Sequence, residues 1–371
     1  MGDAVRKVGV EEELLLVDPA TGQMLAVSPR VLHEHRVSPA AERDEAHTDL
    51  DAELQQHMVE TRTEPERDLA RIGDQIRAGR RTALDAACSA GATIAAVGTA
   101  PLVPADPPLS DDPRYRRIGE RFGRVGRTAG TLGMHVHVDI ASDEEGVRVL
   151  DRLRPWLPVL VALTANSPYA GNRDTGHASW RQLVWSRWPS AGPAEPFRSV
   201  AEYRRVSEAL VETGAALDGG GLYFDARLAA QYPTVEVRVC DVCTDVDDGL
   251  LVAALCRGLV ETLADEPELP ELRSDLLRAA TWRAARYGTD GDLVHPVTGE
   301  LAPAADVIAA LVHRVEPALD RAGDLDLVAD GVSRIAMVGT GARRQRHAFE
   351  TTGDLAGVVL DAVERTVAQA G

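Results

Sequence analysis

Gly133-Met134-His135-Val136-His137-Val138-Asp139-Ile140 alternates without a break: His135, His137 and Asp139 fall on one side, and Met134, Val136, Val138 and Ile140 on the other. Such period-two alternation marks a strand with one buried face. Two further stretches repeat it. Val8-Gly9-Val10-Glu11-Glu12-Glu13-Leu14 aims Glu11 and Glu13 at one side, and Val235-Glu236-Val237-Arg238-Val239 does the same with Glu236 and Arg238. An ordinary solvent-facing strand mixes Thr, Lys, Arg and Ser on its polar side. Here the polar positions are Glu, Glu, His, His, Asp, Glu and Arg, and three such strands predict a sheet face built as a site.

Working outward, Asp18 to Gly22 reads as a turn and Met24 to Val27 as a return strand. Glu64 to Ala90 has helical spacing, and Ala92 to Val97 reads as a strand. The five prolines of 101–114 predict an ordered loop. Helices are expected over Asp143 to Leu163, Val200 to Leu217, Gly249 to Ala264, Leu269 to Tyr287, Ala304 to Ala322, Asp324 to Met337 and Gly353 to Ala370. Strand and helix signals are mixed rather than alternating, and no repeat or linker separates them. The expectation is one α+β catalytic domain over residues 1–371: a mainly antiparallel sheet with helices over one face and the acids and imidazoles on the other.

Composition narrows the chemistry. Hydrophobic content of 44% and charged content of 26% fit a globular chain with a large core. No apolar run reaches the roughly 18 residues of a membrane span, and the N-terminus lacks the apolar segment of a secretory signal. The four cysteines make no disulfide framework in a chain this long, which predicts a reducing, cytoplasmic setting. A net charge of −18 argues against nucleic acid or an anionic membrane as partner. Lys7 is the only lysine. Neither a P-loop nor a G-x-G-x-x-G is present, so any nucleotide phosphates must be handled by metal ions and arginines.

The acids supply donors of the right kind. Glu11 and Glu13 stand roughly 6.5–7 Å apart along a strand, a separation that lets them flank one cation or bridge two; the plainer alternative is an acidic strand end at the surface. Oxygen ligands favour Mg²⁺ or Mn²⁺. In Glu53 to Thr63, a helix would align Glu53, His57 and Glu60, whereas a strand over Val59 to Thr63 would align Glu60 with Arg62 and bring Glu53 in from the preceding turn. His135 and His137 read either as a zinc pair of a hydrolase or as metal and phosphate contacts beside carboxylates. His33-Glu34-His35 lacks strand alternation and reads as a surface stretch, and His47, His57, His177, His295, His313 and His347 are unpaired. Cys240-Asp241-Val242-Cys243 reads as small buried thiols rather than a redox or zinc pair. The Arg- and Trp-rich stretch from Arg173 to Trp188 suits a carboxylate or phosphate clamp, with a second basic cluster at Gly339 to Arg346.

Six blocks, in this order, carry a resemblance: VGVEEELLLVDPATG from Val8, Glu53 to Thr63 with its VETRT, GMHVHVDI from Gly133, ANSPYAGNRDTGHASWRQLVWSRWPSAGP from Ala165, TVEVRVCDVCT from Thr234, and GTGARRQRHAFETTGDL from Gly339. Over Val8 to Leu355 the chain resembles the bacterial carboxylate–amine ligases, the glutamate–cysteine ligase type 2 family. The resemblance implies a glutamine-synthetase-like catalytic fold, with a curved sheet whose convex face carries the helices and whose concave face holds ATP and divalent metal. It implies phosphorylation of a carboxylate by ATP, attack by an amine on the acyl phosphate, and small-molecule acid and amine substrates, plausibly glutamate and cysteine. Matched position by position, Glu11, Glu13, Glu53, Glu60, His135 and Glu236 are metal ligands. Arg238 is a catalytic arginine near the transferred phosphate, Glu60 a catalytic acid, His137, Arg238 and Arg344 nucleotide-binding, and Arg173 and Arg181 substrate-binding. Asp139 departs from the Gly that relatives commonly carry. A homodimer is the assembly the resemblance suggests.

Three other readings compete: an amide synthetase for a different acid and amine, a metal-dependent amidohydrolase, and a binding protein that kept the fold and lost turnover. The full set of acids speaks against the last.

Overall fold

The computed structural model describes residues 5–38, 49–104, 107–127, 130–269 and 272–370. His47, residues 105–106 of the Pro-rich loop and residues 270–271 of an expected helix lie outside the described residues. The strands are β1 (Val8–Val17), β2 (Leu50–Ala52), β3 (Met58–Arg62), β4 (Thr93–Ala95), β5 (Gly133–Asp139), β6 (Tyr169–Ala170), β7 (Arg173–Asp174), β8 (Ala226–Leu228), β9 (Thr234–Asp241), β10 (Asp292–Val294) and β11 (Leu301–Pro303). Seven of them form one sheet in the order β2-β3-β1-β5-β9-β8, with β4 also paired to β1. Every pairing in it is antiparallel.

The alternation read from the sequence becomes the two faces of this sheet. Val8, Val10, Met134, Val136, Val138, Val235, Val237 and Val239 are buried in one core cluster with residues of the helices Asp143–Leu153, Leu157–Thr164 and Val246–Ala264. Beyond Glu13 the run Leu14 to Val17 is buried throughout, joining a second cluster with Ile94 and Ala83 to Ala87. A continuous apolar run is what a strand covered on both faces requires. Glu12 breaks the apolar side of β1, and its charge is matched: the fully buried Arg80 donates to both Glu12 oxygens at 2.7 and 2.9 Å and to the carbonyls of Cys243 and Thr244. This pair pins β1 to the helix Leu69–Ser89 and to the end of β9.

Several expectations need correction. Met24 makes only an isolated bridge to Val17, and a helix starts at Ser28. Pro29 explains the early start, since its fixed φ and missing N–H suit a first helical turn. His33-Glu34-His35 lies on that helix, Ser28–Val37, and His35 is buried rather than at the surface. The expected helix from Asp143 to Leu163 is two, Asp143–Leu153 and Leu157–Thr164, separated around Pro155. Val59 to Thr63 takes the strand alternative, so Glu53 approaches β3 from the preceding loop.

Candidate active site

Register brings the acids together. Glu11 on β1 stands between Arg62 of β3 and His135 of β5, and Glu13 stands opposite Glu60. On β5, His137 is paired with Glu236 of β9, which is paired in turn with Arg227 of β8. Glu53 arrives on the loop between β2 and β3, held by Ser110 N–H to Leu54 O at 3.0 Å and Gln56 N–H to Pro108 O at 3.0 Å. These side chains line a cleft of about 290 Å³ whose other walls include Tyr115, Ile118, Trp185, Trp188 and Tyr223.

Two donor sets emerge on the floor. Glu11, His137 and Glu236 each place a ligand atom within 4.8 Å of the others, and Glu13, Glu53 and Glu60 do the same. The first set holds His137 rather than His135. His137 lies directly opposite Glu236, whereas His135 falls two residues along, where Arg238 and Val239 of β9 stand against it in a bulge. His135 instead puts Nδ1 3.2 Å from Glu11 Oε2, while His137 Nδ1 lies 2.9 Å from Thr234 Oγ1.

The electrostatics of the two sets differ. Burial pushes Glu11 and Glu236 up, but it is outweighed. Contacts from His135 and His137 hold Glu11 well below the usual carboxylate range, and Arg238 and Arg227 do the same for Glu236. Glu13 goes the other way, to about 8, through burial and then repulsion from Glu53, against the pull of Arg181 and the Gly133 N–H. Glu60 is also raised well above the usual range, by burial and then by Glu53, Glu11 and Glu13. Burial lowers His135 to about 4, so its ring is neutral near pH 7.

Both sets fit a hard divalent cation. Glu13, Glu53 and Glu60 offer only carboxylate oxygens, and their mutual repulsion is what a cation would relieve. In the first set, His137 Nε2 is buried without a hydrogen-bond partner among the described residues. An imidazole nitrogen so placed, beside two carboxylates, is a ligand in waiting.

The arginines divide. Arg238 lies in the cleft floor, paired with Glu236 and with its guanidinium 5.3 Å from the Trp185 ring centre. Arg227, which sequence reasoning missed, pairs with Glu236 at 2.7 Å. Its strand is three residues long, too short for alternation to show. Arg181 is fully buried behind the cleft wall, donating to the Arg238 carbonyl at 3.2 Å and lying over Trp185 at 5.1 Å. Gly133 makes room for it: a Cβ there would sit 2.3 Å from Arg181 Nη2. The helix that carries it, Trp180–Trp185, is tied to β9 through Asp241, which accepts from Ser179 Oγ at 2.8 Å and Ser167 Oγ at 2.6 Å.

Arg173 and Arg344 do not join this group. Arg173 is exposed on the β6–β7 hairpin. Arg344 pairs with Asp248 at 2.9 Å, and neither lines the cleft. The basic cluster around it is a brace: Gln345 Nε2 donates to Asn166 O and Oδ1, both at 2.8 Å. Asp139 ends β5 opposite Thr234, outside the cleft lining. All four cysteines are free, and burial raises Cys240 to about 12, consistent with inert thiols. Tyr115, Trp188 and Tyr223 come from separate segments that meet only in the folded chain, in a cluster that also holds Trp185 and Ile118.

The chain matches the profile of the Glutamate-cysteine ligase family 2 (GCS2) over residues 7–362. It is 54% identical over 370 residues to a protein of Nocardioides sp. named "Putative glutamate--cysteine ligase 2-1", covering 98% of this chain and 97% of that one. A Streptomyces coelicolor protein named "Putative glutamate--cysteine ligase 2" is 46% identical, covering 98% and 100%. Among solved structures, the chain resembles the glutamate–cysteine ligase of Francisella tularensis in complex with AMP, with a TM-score of 0.70, 14% identity and coverage of 99% and 89%. It also resembles a bifunctional glutathione synthetase from Pasteurella multocida, with a TM-score of 0.72 at 15% identity, covering 98% of this chain and 52% of that one. At these identities the likeness is one of fold, and it agrees with the α+β architecture above. The chain therefore belongs to the glutamate–cysteine ligase family 2, a family of ligases.

Proposed function

We propose, from this membership and from the cleft, that the whole chain acts as one ATP- and Mg²⁺-dependent carboxylate–amine ligase, forming an amide through an acyl phosphate, with Mn²⁺ able to replace Mg²⁺. The observation that carries the reading is the pair of donor sets lying side by side on one floor, Glu11–His137–Glu236 and Glu13–Glu53–Glu60. Phosphoryl transfer asks for neutralisation and alignment of charge more than for covalent help. A divalent cation in each set would supply that to the triphosphate, with six side chains of this floor holding the two ions.

The chain's own groups do the rest. Arg238 and Arg227, anchored by Glu236, present fixed positive charge where the transferred group would become most negative. Trp185, Trp188 and Tyr223 wall the cleft and limit water, which would otherwise hydrolyse an acyl phosphate. The names of the relatives support glutamate as the acid and cysteine as the amine. We place the reaction in the cytoplasm; no helix of the described residues is long and apolar enough to cross a membrane. The amidohydrolase reading loses ground because the family to which the chain belongs is one of ligases.

The test is ADP release from purified protein with ATP and Mg²⁺ across a panel of acids and amines that includes glutamate and cysteine. ADP formation that needs both an acid and an amine supports the reading. Amide hydrolysis without ATP, in protein that retains zinc, would replace it.

A further inference from the structure

Tyr232 is the one aromatic of the described cleft lining that leaves a large surface in water: it is 53% exposed, against 6% for Trp185 and for Trp188. The two tryptophan rings are occupied. Trp185 carries the guanidiniums of Arg181 and Arg238, and Trp188 packs on Phe122 and Tyr223 at 5.2 and 4.5 Å. The ring of Tyr232 meets His137 edge-on, with centroids 6.3 Å apart and planes at 89°.

Its backbone is fixed even though its ring is not covered. Tyr232 lies on the turn between β8 and β9, where Thr234 N–H donates to its carbonyl at 2.8 Å and Ala229 N–H donates to Thr234 O at 3.0 Å. The next residue, Pro233, accepts from Ile140 N–H at 3.0 Å, tying the turn to the end of β5. Ala229 and Ala230 line the cleft beside it with the smallest side chains available, leaving open space in front of the ring.

That space adjoins one end of the floor. His137 belongs to the Glu11–His137–Glu236 set, so Tyr232 is one ring away from the place where triphosphate charge would be held. A nucleotide with its phosphates there needs an apolar surface for its base just beyond. Trp185, Trp188 and Tyr223, other rings of the lining, are already packed against one another. An exposed aromatic face costs little to cover and gains from stacking a base of any kind.

We propose that Tyr232 is the stacking platform for the nucleobase of the nucleotide substrate, a contact made by the ring and not by the phenol hydroxyl. The proposal rests on the nucleotide-dependent reading above and specifies where the base lies.

Calorimetric titration of the wild type, Tyr232→Phe and Tyr232→Ala with two probes, Mg·ADP and base-free Mg·tripolyphosphate, tests it. Tyr232→Phe should bind both probes within about twofold of wild type. Tyr232→Ala should weaken ADP by about tenfold or more, the effect of removing one stacked base, and leave tripolyphosphate unchanged. Wild-type ADP affinity in Tyr232→Ala, or equal losses for ADP and tripolyphosphate, would overturn the platform while leaving the ligase reading in place. Wild-type protein that binds tripolyphosphate but not ADP, or neither probe, would overturn the platform together with the nucleotide-dependent reading.

Discussion

Glu13 on β1 stands directly across from Glu60 on β3, so two carboxylates face each other in an enclosed floor with Glu53 beside them. Like charges opposed across a strand pair are destabilising, and burial followed by repulsion from Glu53 raises both groups, Glu13 to about 8. The pair costs the metal-free fold stability that a bound cation would restore.

That expense has a sign in pH. When a carboxylate's folded value is raised, the folded protein keeps a proton that the unfolded chain has released, and stability falls as pH climbs toward the folded value. The buried imidazoles of His135 and His57, lowered to about 4 and about 3, act in the opposite sense, but only below their unfolded value of 6.5. Between pH 6.5 and about 8, Glu13 and Glu60 decide the slope. Metal-free protein should melt at lower temperature as pH rises through this window, and Mg²⁺ should raise Tm most at its upper end. Thermal melts in EDTA and in Mg²⁺ check it; a rising Tm in EDTA would contradict the account.

Glu60→Gln and Glu236→Gln should separate. Glu60→Gln removes one of two opposed acids, so it should abolish ADP formation while leaving the metal-free fold as stable as wild type or up to about 1 kcal/mol more so. Glu236→Gln should also abolish ADP formation, but at a cost in stability. Glu236 is the ion-pair partner of both Arg227 and Arg238, and the substitution removes the carboxylate charge from two guanidiniums in the cleft floor. A cost of about 3 kcal/mol is expected. Urea unfolding of both variants distinguishes them, and equal midpoints would refute the difference.

Gly133→Ala should act at two sites through one methyl group. The Gly133 N–H donates to Glu13 Oε2 at 2.5 Å, and the added Cβ would lie 2.3 Å from Arg181 Nη2. Overpacking of this sort costs about 1–3 kcal/mol, and turnover should fall because Glu13 moves with the strand. Unchanged kinetics would mean that Arg181 can be displaced freely.

Arg173→Ala and Arg344→Ala test the two arginines that lie outside the cleft. Arg173 is exposed, so its loss should shift stability by no more than about 0.5 kcal/mol and leave the acid's KM unchanged. Arg344→Ala removes one of the two arginines paired with Asp248 and should cost about 1–2 kcal/mol without raising the nucleotide's KM. A tenfold rise in either KM would return that residue to the site.

Alternation made the floor legible before any coordinates. The side chains of Glu11, Glu13, His135, His137, Glu236 and Arg238 line up by period two alone, and all six line the cleft, with a bulge on β9 opposite His135. What alternation could not show is pairing across strands. That is why the position of His137 opposite Glu236 needed the register. Arg227 was invisible for a related reason, sitting on a three-residue strand. Arg173 and Arg344 lie outside the cleft lining, and an Arg-rich stretch looks alike whether its arginines face a ligand or brace a neighbouring loop. Arg346, pairing with Asp174 at 2.5 Å, shows the second use.

The most direct test of the central claim follows an oxygen atom. Glutamate carrying ¹⁸O in its carboxylates is incubated with the protein, ATP, Mg²⁺ and cysteine, and the inorganic phosphate released is analysed by mass. A carboxylate that attacks the γ-phosphorus and is then displaced by the amine leaves one of its oxygens on the phosphate. The account predicts one ¹⁸O per phosphate released. Amide formation accompanied by phosphate free of ¹⁸O would contradict it.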